Sequence, residues 1–153
     1  LTGPMVRLKF RYIVGQVLVD PSWNGEQVGD IISANDVQSA LREKILTLFG
    51  DCGYGAFGLN SFVRFLDNNS LIYVVRTPRS DYSECCFALL CITELKKIPV
   101  SLRTLKIASC ARTCTKSLRS LCESAVTSSL VYNSDEKEKH LSRLQSTIDN
   151  IDL

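Results

Sequence analysis

The chain has 153 residues, 45% hydrophobic and 22% charged, with only 8 glycines and 4 prolines. That balance excludes collagen-like, low-complexity and wholly disordered chains, and a chain of this length buries roughly 68–70% of its unfolded surface without needing a disulfide or metal staple. The formal net charge of +2 conceals a segregation of 18 basic and 16 acidic residues.

Val6–Val19 reads as a first strand, with Arg7, Lys9 and Arg11 on one face and Val6, Leu8, Phe10, Tyr12 and Val14 on the other. A polar, Gly-containing loop spans Pro21–Asp30. Ser33 and Asp36 have capping-box spacing, although Glu or Gln is usual at the second position. Val37, Leu41, Ile45 and Leu48 then recur at helical spacing, and Gly50 is placed to stop that helix. Phe57–Leu66 and Leu71–Thr77 read as strands joined by the turn Asp67-Asn68-Asn69-Ser70. A second helix starts at Ser80, with Tyr82, Cys85, Leu89 and Ile92 on one stripe, and Val100–Ala108 is a fourth strand of uneven alternation. A third helix runs from Cys110 to Leu130 and a polar fourth from Ser134 to Ile151. The order β-α-β-β-α-β with C-terminal helices predicts an α+β, ferredoxin-like sandwich: an antiparallel sheet with helices on one face and the extra helices appended. Neither linker nor repeat divides the chain, so one domain is expected from Met5 onward. Leu1–Pro4 precede Met5, which reads as a natural start, and are expected to be an appended remnant.

Two segments carry the basic charge. Arg7, Lys9 and Arg11 come before the first acid, Asp20. From Leu95 to Cys122 stand Lys96, Lys97, Arg103, Lys106, Arg112, Lys116 and Arg119 with no acid among them. Clustered Lys and Arg without local acids are the footprint of a polyanion binder, against a merely solvated face as the plain alternative. The third helix sharpens this. At 100° per residue, Ala111, Cys114, Leu118, Leu121, Cys122 and Ala125 form one stripe, with Arg112, Lys116 and Arg119 nearly opposite. A solvated helix face usually carries acids four residues away; Arg112 and Lys116 have none, and only Arg119 has one, Glu123, which favours phosphate contact at the first two. Stacking of an unpaired base between Arg64 and Tyr73, beside Phe62 and Leu71, is the weaker alternative to core packing of those rings.

Other patterns carry less. Gly53-Tyr54-Gly55-Ala56-Phe57-Gly58 matches GxGxxG, but it follows a helix and opens a strand, the reverse of a dinucleotide loop. Seven cysteines, an odd number, follow no signal-peptide-like run, and the longest apolar run, Cys85–Ile92, is too short for a bilayer. A soluble, intracellular, reducing setting is expected, with thiols used as small hydrophobes. Cys110 and Cys114 lack a second ligand pair at zinc spacing. His140, the one histidine, lies in a solvated helix start with no nucleophile to serve. No catalytic residue and no metal ligand is expected.

Met5-Val6-Arg7-Leu8-Lys9-Phe10-Arg11-Tyr12 resembles the opening of the small ferredoxin-like protein subunit of archaeal and eukaryotic ribonuclease P, the fifth "processing of precursor" subunit, shared with ribonuclease MRP. Phe49-Gly50-Asp51-Cys52-Gly53-Tyr54-Gly55 and Ile107-Ala108-Ser109-Cys110-Ala111-Arg112-Thr113-Cys114 agree with it in order and spacing, and the resemblance runs from Met5 to about Leu121. The family usually reads Ser-Gly-Thr-Ile-Arg at the last of these, so its glycine turn is absent here. The resemblance implies a non-catalytic, RNA-binding subunit that buttresses a catalytic RNA cutting 5′ leaders from precursor tRNA. It also implies a TIM-barrel-like protein neighbour with other subunits, only indirect contact with precursor tRNA, and a nuclear and nucleolar location without membrane association. No cofactor is expected on the protein, and Mg2+ would sit on RNA phosphates. By matching position, Arg7, Lys9, Arg11 and Arg112 are the expected RNA contacts; Lys116 and Arg119 follow from helix geometry, and Arg103 and Lys106 from charge. Two other classes stay open: a regulatory or protein-interaction domain of the same fold whose basic face meets an acidic partner, and a small stand-alone hydrolase.

Overall fold

The computed structural model describes residues 7–128, 134–151 and 153. Leu1–Pro4, Met5, Val6 and Leu130, which figured in the expectations above, lie outside them. Strand β1 (Phe10–Val19) is flanked by β3 (Ile72–Pro78) and β5 (Ile98–Ala108), with β2 (Phe62–Leu66) beyond β3 and the short β4 (Glu94–Leu95) beyond β5. Every pairing is antiparallel. Without β4 the order is that of a ferredoxin-like sheet, and the two crossover helices complete the βαββαβ frame.

Helix α1 (Val28–Ile31) is a single turn overlapping the end of the expected loop, and α2 (Ala34–Ala56) begins at the predicted cap. There the Asp36 carboxylate accepts from the Ser33 backbone N–H and hydroxyl, both at 2.7 Å. Gly50 bends rather than ends this helix: its φ of 66° breaks the regular path, and six more residues continue helically. A 3-10 turn, Gly58–Asn60, occupies what the sequence read as the start of β2. The β2–β3 turn is held by Asp67, which accepts from the Ser70 backbone N–H at 2.9 Å and from the Ser70 hydroxyl. Helix α3 (Tyr82–Leu90) follows a 3-10 turn, α4 spans Ala111–Ser128 and α5 spans Ser134–Asp149.

The strand-period pattern separates two cores. Ile13, Val17, Tyr73, Val75 and Leu102 point toward α2 and α3, where Val37, Leu41, Ile45, Cys85 and Leu89 close on them. Tyr12, Val14, Phe65, Ile72 and Val74 point the other way, onto Cys114, Leu118, Cys122 and Val126 of α4 and Leu144 and Ile148 of α5. The crossover helices thus share one face, as expected, while the appended pair covers the opposite face. Coverage on both sides explains why Tyr12–Gly15 is buried without alternation. In the first half of β5, Ile98, Val100 and Leu102 are buried while Pro99, Ser101 and Arg103 are exposed, so the α4–α5 pair leaves that part of the second face open.

Candidate nucleic-acid interface

The expected first strand is too long. β1 starts at Phe10, paired with Pro78, and Arg7 and Lys9 precede it. Proline closes β3 there, and the next residue, Arg79, donates its backbone N–H to the Lys9 carbonyl at 2.8 Å. On the other side β5 ends at Ala108, opposite Tyr12. With no neighbour strand among the described residues beyond these points, Arg7 and Lys9 extend off the sheet edge as exposed residues.

That geometry gathers the basic end. Arg7, Leu8 and Lys9 line one concavity with Arg79 and Ser80. A second, next to it, is lined by Lys9, Phe10, Arg11 and Tyr12 on one side and Ser109, Cys110 and Ala111 on the other. Arg112 follows at once in the first turn of α4, exposed. The first turn of α4 holds no acid, so the positive end of an 18-residue helix adds to the cationic side chains around it. Cys110 immediately precedes α4, and its carbonyl accepts from the Cys114 N–H at 3.0 Å. Its sulfur lies 3.1 Å from the Thr113 hydroxyl. That contact, followed by the Thr113 backbone N–H, lowers the thiol's pKa below the ordinary value. Cys110 is therefore an exposed polar cap, while Cys114 one turn on is fully buried and pushed up to about 12 by desolvation.

The remaining expected contacts divide. Lys106 and Lys116 meet along a groove between β5 and α4, with Leu105, Thr113, Ser117, Ser120 and Leu121. Arg103 stands further along β5, its guanidinium donating to the Gln16 amide oxygen at 3.4 Å. Arg119 is not free. Helix α5 brings Asp149 against it as an ion pair, so a neighbouring helix, and not Glu123 four residues on in sequence, supplies its acidic partner. Lys96 is likewise engaged, 3.0 Å from Asp36 and donating to the Ile31 carbonyl at 2.9 Å. The idea of Arg64 facing Tyr73 is overturned: the turn closes at Asp67 and Ile72, which sets Leu66 opposite Tyr73, and a bulge between Val63 and Phe65 then sets Phe62 opposite Arg76. Tyr73 is fully buried, and desolvation raises its phenol's pKa. Arg79 was missed in the sequence because it sits in the acidic middle of the chain and only the fold places it beside Lys9. No helix among the described residues is long and apolar enough to cross a membrane.

Fold and surface together define a ferredoxin-like α+β domain whose cations are gathered at one end of the sheet and along one helix. The Rpp14/Pop5 family model matches residues 11–119, and the chain belongs to that family. It is 31% identical over 113 residues to a probable ribonuclease P/MRP protein subunit POP5 of Arabidopsis thaliana, covering 72% of this chain and 74% of that protein. The protein of the same description from Dictyostelium discoideum is 25% identical over 112 residues, covering 73% of this chain and 63% of the relative. A chain in the cryo-EM structure of yeast ribonuclease MRP aligns over 94% of both chains with a TM-score of 0.49 and 12% identity.

Proposed function

We propose that this chain is a non-catalytic, RNA-binding protein subunit of a ribonuclease P/MRP particle, supporting a catalytic RNA that removes 5′ leaders from precursor tRNA. The observation that carries this reading is the convergence of Arg7, Lys9, Arg11 and Arg79 with the acid-free start of α4 at Arg112. Family membership gives that surface its context, since the relatives in plant and slime mould are named as subunits of this ribonucleoprotein.

On this reading the protein neutralises backbone phosphates, fixing position and register without reading sequence. Arg7, Lys9, Arg11 and Arg112 form the primary contact. Lys106 and Lys116 extend it along the β5–α4 groove, with Arg103 at its far end and Arg119 available when Asp149 yields. Magnesium belongs to the RNA phosphates, precursor tRNA is met through the RNA, and a TIM-barrel-like subunit is among the protein neighbours. The working location is the nucleus and nucleolus. The test is to recover the chain from its native cells at gentle salt and sequence the RNA that accompanies it. Ribonuclease P or MRP RNA is expected. A protein complex that survives nuclease and carries neither RNA would replace this reading with an acidic protein partner.

A further inference from the structure

A second cationic site lies at the β2 edge, outside the segments that the charge pattern singled out. Gln38 of α2 clamps that edge: its side-chain N–H donates to the Ser61 carbonyl at 2.9 Å, and its side-chain oxygen accepts from the Val63 N–H at 2.6 Å. One helical turn on, Arg42 lies over Phe62, its guanidinium carbon 5.6 Å from the ring centroid. Arg64, from the β2 bulge, lies 5.2 Å from the same centroid. Arg76, the cross-strand partner of Phe62, lies 6.0 Å from it and 4.4 Å from the ring of Phe10.

Three guanidinium groups therefore crowd one phenyl ring. Among the described residues none of the three makes an ion pair, and the Nε of each is shut off from solvent with no acceptor. One ring face attracts a cation, but it does not offset the mutual repulsion of three, and these half-buried guanidinium groups have no acid among the described residues to balance their charge. The missing partner is an anion with several acceptor oxygens, and guanidinium forks fit phosphate best. Phe10 ties this cluster to the basic end, since it carries Arg76 on its ring and also lines the concavity of Lys9, Arg11 and Cys110.

We propose that Arg42, Arg64 and Arg76, held on Phe62, form a phosphate clamp that takes the backbone of the same RNA as it leaves the basic end past Phe10. This rests on the RNA-binding reading above and extends it to residues in the acidic part of the chain. An acidic protein segment would present carboxylates instead; continuity with the basic end through Phe10 favours RNA.

The test uses the full chain. The arginine Nε–H resonances are followed by NMR during titration with inorganic phosphate and then with ribonuclease P RNA, beside Arg64→Gln, Arg76→Gln and Arg64→Lys variants. Selective shifts of the Arg42, Arg64 and Arg76 signals are expected. Each Gln variant should weaken RNA binding several-fold and flatten its salt dependence by about one unit of slope. The melting temperature should change little, because the relieved repulsion between guanidinium groups offsets the ring contact that is lost. Arg64→Lys, which keeps the charge but not the fork, should fall between wild type and Arg64→Gln.

A Gln variant that melts lower yet binds RNA as wild type would reduce the cluster to packing and overturn the proposal. If Arg112→Ala weakens RNA binding while the cluster variants do not, the functional reading stands and only the clamp falls. If the wild-type chain binds no RNA but polyglutamate shifts the three resonances, both RNA assignments fall in favour of an acidic protein.

Discussion

Asp149→Asn is expected to strengthen RNA binding. Arg119 and Asp149 form an ion pair whose side chains keep 41% and 60% of their exposure. A pair so open to solvent contributes about 0–1 kcal/mol to stability. Helix α5 is anchored separately, by Leu144 and Ile148 in the second core, so the substitution should leave it docked and lower the melting temperature by no more than about 4 °C. The effect on RNA is of similar size but has a distinct signature. A released Arg119 adds one phosphate contact to the stripe begun by Arg112 and Lys116, steepening the log–log salt dependence by about 0.7–0.9. Taken to 0.15 M salt, that slope corresponds to roughly 4- to 6-fold tighter binding. Fluorescence anisotropy with labelled ribonuclease P RNA across a salt series reads both quantities. Introducing Arg119→Gln should abolish the gain. Affinity and slope unchanged in Asp149→Asn would place that turn of α4 away from RNA; a gain that persists without Arg119 would assign it to the loss of negative charge generally.

Three further substitutions test the fold that carries the site. The Tyr73 hydroxyl is buried without a partner, beside Gly15, where an added β-carbon would stand 2.3 Å from it; Tyr73→Phe should therefore stabilise the chain by about 1 kcal/mol in urea unfolding, and a loss of that size would mean that the hydroxyl has a partner. Lys96 and Lys97 turn β4 into β5 with φ of 48° and 66°, so Lys97→Gly should add about 0.5–1 kcal/mol, whereas a lower melting temperature would contradict a left-handed turn there. Desolvation raises the Asp36 pKa, but the Ser33 hydroxyl and backbone N–H and then Lys96 outweigh it, leaving a net value below 3.8. The resulting stabilisation is complete above that pH and is lost as pH falls through the lower folded value. Asp36→Ala should accordingly cost about 1–2 kcal/mol at pH 7 and progressively less below pH 3.8; a cost that does not vary with pH would show that the carboxylate does not cap α2.

Much of the frame is local chemistry and could be read from the sequence. Ser33 and Asp36 announce α2, Asp67 to Ser70 announce the hairpin, and the opposed stripes of α4 survive folding. What escaped depends on distant partners. The start of β1 is set by Pro78 and Ala108, whose strands end there. The uneven pattern of β5 reflects a register shift against Val14 and Gly15. Gly50 has the positive φ that only glycine adopts readily, yet the helix resumes beyond it. Charge was the harder case. Counting acids within one helix could not reveal Asp149, 30 residues from Arg119, nor could it show that Arg79 joins Lys9 or that Arg42, Arg64 and Arg76 share one ring.

The central claim is that RNA lies against the end of the sheet where β1 begins and α4 starts. Ultraviolet crosslinking of the reconstituted chain to ribonuclease P RNA, with peptide mapping by mass spectrometry, tests it most directly. Crosslinks should concentrate in Lys9–Tyr12 and Ser109–Arg112. Crosslinks confined to α3 or α5, or none at RNA concentrations that saturate binding, would contradict it.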